Sequence, residues 1–167
     1  MIAKAISLCD ELLDETIEGN AERVAELVEL AHDTYSSILS YNDENSLSCV
    51  LTMAYFTAPA YYNVIREMPA GCKTSGGRLF CTDRSGTETG HADLVFIPRA
   101  NAGSKPAMVI ELKYNKDADT AINQIKDKKY QGALSGYSDR ILLVGINYDT
   151  EGEDKKHHTC IIEEWKE

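Results

Sequence analysis

The chain has 167 residues, 43% of them hydrophobic, and a formal net charge of -10. That size and composition bury a real core and argue against disorder, and no segment approaches the run of about 18 apolar residues that a membrane helix requires. The acid excess argues against indiscriminate nucleic-acid binding.

Residues 3–18 carry the period of an amphipathic helix, with Ala5, Leu8, Leu12 and Leu13 inward and Asp10, Glu11, Asp14 and Glu15 largely outward. The opening Met-Ile-Ala-Lys turns acidic at once, unlike a signal peptide. Gly19 and Asn20 end this helix and can cap the next, which the stripe Val24, Leu27, Val28, Ala31, Tyr35 and Leu39 extends over about 21–40. Residues 40–43 form a break. A third helix follows over about 43–57, and Pro59 interrupts it. Tyr61–Glu67 reads as a first strand or as a helix end running into one.

Residues 70–90 differ in kind, with Gly71, Gly76, Gly77, Gly86 and Gly90 around the short run Arg78-Leu79-Phe80-Cys81. A hairpin-like excursion or a loop is expected there. Strands follow at 91–98 and 106–114, then a helix over 117–131 with Ala118, Ala121, Ile122 and Ile125 facing in. Ile141–Ile146 is almost uninterruptedly apolar, the mark of a central strand covered on both faces. A charged turn, with His157 and His158 expected at the surface, leads to an edge strand at 159–163. The five cysteines are odd in number and scattered, without Cys-x-x-Cys spacing. They argue against a disulfide framework or a zinc site, suggest a reducing cytoplasm, and are expected to pack as small apolar groups.

Charge divides the chain. Residues 1–70 hold 12 acids and 3 bases, a net of -9, whereas residues 71–167 hold 15 acids and 14 bases, a net of -1. The second part also contains two apolar strands, each with an acid where burial makes one costly. In Ile110-Glu111-Leu112-Lys113, alternation puts Glu111 and Lys113 on one face and their apolar neighbours on the other. If the preceding strand pairs with this one as a hairpin, Asp93 joins them. Two carboxylates suit a hard divalent cation, and a lysine beside them can orient water or stabilise negative charge. The plainer reading of Glu111 and Lys113 is a salt bridge along a strand.

Asp93, a spacer and Glu111-Leu112-Lys113 resemble the PD-(D/E)-x-K signature of the restriction-endonuclease-like nuclease superfamily. Residues 36–163 resemble more narrowly the nuclease-like domain found C-terminal to AAA-ATPase-like domains in bacterial proteins. The blocks carrying this are Ser40–Leu47, Ala54-Tyr55, Arg66–Pro69, Gly90–Phe96, Glu111–Lys116, Ala121–Tyr130 and Val144–Tyr148. The resemblance implies an α+β fold: a mixed central β-sheet flanked by helices, with residues 1–40 a helical extension and 41–167 the nuclease-like domain. It implies Asp93, Glu111 and Lys113 as the core site, Glu44 completing a metal shell for Mg²⁺ or Mn²⁺, and Gln124 lining it. Lys128, one turn beyond Gln124, together with Tyr130 and Lys116, is the candidate contact with phosphate. The usual proline before the first acid is absent, because Ala92 precedes Asp93. Residues 71–89 are longer than the family's turn and bring Lys73, Arg78 and Arg84 toward the Asp93 strand.

The function implied is a cytoplasmic, metal-dependent phosphodiesterase acting on DNA or RNA. The alternative is a nuclease-fold module that no longer cuts, and instead binds nucleic acid or docks onto an ATPase partner through acidic residues 3–40. A homodimer built through residues 1–40 is a further expectation.

Overall fold

The computed structural model describes residues 2–35, 44–75, 78–81, 90–152 and 156–166. Two helices, α1 (Ile2–Glu18) and α2 (Ala21–Tyr35), form where the apolar spacing requires them. Gly19 makes the turn between them at a φ of 83°, a left-handed conformation that glycine adopts without a side-chain clash. Asn20 caps α2. Its carbonyl accepts the Val24 N–H and its Oδ1 accepts the Arg23 N–H at 3.4 Å. Residues 36–40 of the expected second helix, and the break at 40–43, lie outside the described residues. Helix α3 (Glu44–Ala54) follows, and Pro59 falls in a single 3₁₀ turn, Ala58–Ala60.

The sheet has five strands: β1 (Tyr62–Pro69), β4 (His91–Pro98), β5 (Ala107–Tyr114), β6 (Ile141–Tyr148) and β7 (His158–Trp165), in the order β1-β4-β5-β6-β7. Among the described residues only β5 and β6 run parallel, and the crossover between them carries α4 (Ala118–Lys128). The other neighbours are antiparallel. Alternate residues of the central strands serve two cores. Leu94, Phe96, Ile110, Leu112, Val144 and Ile146 pack with Leu12, Leu27, Val28, Leu47 and Leu51 of the first three helices. Val95, Ile97, Val109 and Leu143 pack with Ile122 and Ile125 of α4. This double coverage explains why β5 and β6 read as continuous apolar runs. The mixed sheet flanked by helices, with a helical N-terminal segment, is the α+β architecture expected. No helix among the described residues is long and apolar enough to cross a membrane.

The glycine-rich excursion contains a separate hairpin, β2 (Cys72–Ser75) with β3 (Arg78–Cys81). The Thr74 hydroxyl donates to the Ala133 carbonyl, fastening the hairpin to the chain beyond α4. Arg84 lies outside the described residues. Two expectations need correction here. Cys72 is disulfide-bonded, and its partner in the β2–β3 register is Cys81. The expectation against a disulfide is thus overturned at Cys72, whereas Cys9, Cys49 and Cys160 are free thiols. His158 is buried rather than exposed, because Glu29 of α2 accepts both its backbone N–H and its ring Nδ1–H.

Candidate metal centre

Asp93 sits where the β4–β5 ladder stops. Pairing runs from Phe96–Met108 to Leu94–Ile110. One residue further, the Asp93 carboxylate takes the place of a strand carbonyl: its Oδ2 accepts the Leu112 N–H at 2.8 Å. The hairpin thus brings Asp93 to the face that Glu111 and Lys113 share. Both of those side chains are buried, at 1% and 4% residue exposure. Lys113 Nζ donates to Glu111 Oε1 at 3.0 Å and to the Leu112 carbonyl at 2.9 Å. Glu44, the first residue of α3, reaches the same ammonium, with its Oε1 3.5 Å from Lys113 Nζ.

Carboxylate oxygens of Glu44, Asp93 and Glu111 lie within 4.8 Å of one another. Three acids facing one ammonium leave a formal net of -2, with Glu111 and Lys113 buried and the Glu44 side chain 44% exposed. The protonation equilibria show the strain. Burial pushes Asp93 up to about 6, against the Leu112 N–H that favours its ionised form. Burial, and then the charge of Asp93, push Glu111 up to about 8. Lys113 is raised even though burial opposes it, because Glu111, Glu44 and Asp93 surround its charge. Glu111 Oε2 is buried with no hydrogen-bond partner among the described residues. An all-oxygen set with an orphaned buried carboxylate oxygen suits a hard divalent cation.

The second wall comes from α4. Asp117 caps its N-terminus, accepting the Thr120 N–H at 2.6 Å, and Lys129, at a left-handed φ of 56°, ends it. Gln124 and Lys128 lie on this helix and Tyr130 directly follows it. Tyr130 is buried, and burial and then Glu111 push its hydroxyl up to about 12. Gln124 faces that hydroxyl and partly offsets the rise, yet no bond of normal geometry reaches the oxygen among the described residues. Gly90 makes the room: a Cβ there would stand 2.7 Å from the Tyr130 hydroxyl and 3.0 Å from Lys128 Cε.

The structure therefore gathers Asp93, Glu111, Lys113 and Glu44 directly, and aligns Tyr130, Gln124 and Lys128 beside them. Lys116 is not gathered. It is exposed in the turn after β5, where its N–H bonds Asn147 Oδ1 at 3.0 Å, and it makes no ion pair with the three acids among the described residues. Lys126 of the same helix as Gln124 pairs with Glu163 at 2.7 Å. One residue escaped the sequence reading. Glu67 falls between the paired positions Arg66–Leu94 and Met68–Ala92, which puts it level with Asp93. It holds a φ of 52° that is costly for glutamate, and its charge adds to the rise at Asp93. No protein-family model matches the chain, and no curated protein matches it.

Proposed function

We propose that this protein is a metal-dependent phosphodiesterase of the PD-(D/E)-x-K superfamily, acting on DNA or RNA. The observation that carries the reading is the convergence of Glu44, Asp93 and Glu111 within 4.8 Å, with Lys113 Nζ 3.0 Å from Glu111. A salt bridge along a strand needs one acid for one base; two further carboxylates beside a buried pair ask for more positive charge than Lys113 provides. Glu44, Asp93 and Glu111 would hold Mg²⁺ or Mn²⁺, which when bound supplies the charge that draws a phosphodiester to an acidic surface and polarises it. Lys113, fixed by Glu111 and the Leu112 carbonyl, presents its ammonium to negative charge developing on the phosphoryl oxygens. The Tyr130 hydroxyl, protonated at neutral pH, is a donor available to the same oxygens. Gln124 orients it, and Lys128 extends the contact along the backbone.

The test is cleavage of mixed DNA and RNA substrates by the full chain with Mg²⁺ or Mn²⁺. Metal-dependent cleavage that vanishes in Asp93→Asn and Glu111→Gln supports the reading; wild-type protein no better than those variants removes it. A second reading is a silent module that binds nucleic acid or docks onto an ATPase domain; the docking form draws on the net of -9 over residues 1–70. Calorimetry with Mg²⁺ separates the two, because a module without a metal centre gives no binding that Glu111→Gln abolishes.

A further inference from the structure

A second group of ligating side chains lies on the opposite core, where α2 packs on β7. Glu29 and His32 are three residues apart on α2 and so share a face. His158 opens β7. Glu29 Oε2 accepts the His158 Nδ1–H at 2.8 Å and the backbone N–H groups of His157 and His158 at 2.8 and 3.0 Å. The His32 and His158 rings stand edge to face, 5.3 Å apart at 78°, and the Tyr148 ring packs against both, at 5.2 and 5.0 Å. One ligand atom from each of Glu29, His32 and His158 falls within 4.8 Å of the other two. The His158 side chain is fully buried and that of Glu29 is 14% exposed.

Fastening β7 to α2 accounts for the bond between Glu29 and His158. It does not call for a second imidazole, yet His32 brings one within ligand distance of both Glu29 and His158. We propose that Glu29, His32 and His158 form a second metal site, which takes a transition ion of the Zn²⁺ type. Two imidazole nitrogens and one carboxylate are a borderline donor set, unlike the all-oxygen set of Glu44, Asp93 and Glu111, so the two sites sort different ions. An ion held by Glu29 Oε2 and His158 Nδ1 would take the place of the proton these two atoms share at 2.8 Å, so its binding releases that proton. Zn–N bonds of about 2.1 Å place tetrahedral ligands roughly 3.4 Å apart, so modest side-chain rotation closes the group. A cavity of about 550 Å³, lined by Glu26, Glu29, Asp33, His158 and Cys160 among others, adjoins Glu29 and His158 and leaves a fourth position open to water or a small ligand.

The experiment uses the full chain stripped of metal, titrated calorimetrically with ZnCl₂ and separately with MgCl₂, and loaded with Co²⁺ for visible spectroscopy. One Zn²⁺ per chain is expected, weakened about tenfold or more in His32→Gln and in His158→Gln and unchanged in the Asp93→Asn, Glu111→Gln double variant. The unsubstituted protein with Co²⁺ should give the intense absorption of four- or five-coordinate cobalt, lost on adding Zn²⁺. Absence of Zn²⁺ binding overturns the proposal, as does a Zn²⁺ isotherm that both histidine variants retain. A weak six-coordinate Co²⁺ spectrum also overturns it, and that readout needs no variant to fold. None of these outcomes depends on whether the acidic centre cleaves anything.

Discussion

Gly145 stands directly opposite Glu111 in the parallel β5–β6 ladder, and its missing side chain is what lets α4 lie against that strand. A Cβ at Gly145 would come within 2.5 Å of the Ala118 carbonyl oxygen and 3.0 Å of Ile122. The first of these is backbone and cannot swing aside. Gly145→Ala is therefore expected to lift the first turn of α4 and to cost about 1–3 kcal/mol, as over-packed sites do, read from urea denaturation. Because Gln124, Lys128 and Tyr130 depend on α4 for their place, cleavage should fall in folded Gly145→Ala protein as well. A variant as stable as wild type would show that the helix does not press on the strand.

The acids of the centre make stability depend on pH. Glu111 rises from an ordinary 4.5 to about 8 in the folded chain. The folded state thus binds this proton more tightly than the unfolded state does. Its contribution to stability is complete below about 4.5 and is lost as pH climbs toward 8. Asp93, raised from 3.8 to about 6, adds a loss over its own lower window. Lys113, also raised, acts in the same direction, but its window lies above its ordinary value of 10.5 and does not overlap. The metal-free protein should melt lower at pH 8 than at pH 5.5. Glu111→Gln should flatten that dependence and raise the pH 8 melting temperature, by up to a few kcal/mol in equivalent stability. Mg²⁺ should restore wild-type stability at pH 8 by mass action and do little for Glu111→Gln.

Much of this arrangement is written in local patterns. Period-two alternation alone places Glu111 with Lys113, and a tight antiparallel pair suffices to add Asp93. Glu44 and Gln124 are different, because nothing in their own helices distinguishes a site residue from a solvated one; only the ordered blocks pointed to them. Three features depended on partners distant in the chain. His158 is buried because Glu29, 129 residues away, accepts its N–H groups. Glu67 takes a left-handed backbone that glutamate does not favour, so no propensity announces it. The Cys72 disulfide did leave a trace: Cys72 and Cys81 are symmetric about Gly76-Gly77, as residues facing across a hairpin must be.

Lys113 separates metal binding from chemistry. Lys113→Met keeps the apolar stem in its buried slot and removes the ammonium. Glu111, already raised to about 8, then lacks its only cationic partner in the group and takes up a proton more readily. The stability loss should therefore fall short of the roughly 3–5 kcal/mol typical of a broken buried pair. Cleavage should drop to background while Mg²⁺ still binds at pH 8, measured by calorimetry beside a nuclease assay. Loss of both together would assign Lys113 to assembling the metal centre rather than to the phosphoryl oxygens.

Tyr130 gives the sharpest division between stability and activity. Its hydroxyl is buried beside Glu111; Gln124 faces it, but no hydrogen bond of normal geometry reaches it among the described residues, an arrangement that costs a folded protein free energy. If Tyr130 served only to fill the core, Phe would serve better. Tyr130→Phe should leave the melting temperature unchanged or raise it, by up to about 1 kcal/mol in equivalent stability. If the hydroxyl donates to a bound phosphodiester, the same variant should lose roughly tenfold in kcat/KM, which is about 1.4 kcal/mol of transition-state stabilisation. Gly90→Ala should imitate that loss by another route, because its Cβ would occupy the space 2.7 Å from the same hydroxyl. A Tyr130→Phe protein that is less stable than wild type yet cuts as well would return Tyr130 to the core and leave the phosphate contacts to Lys113 and Lys128.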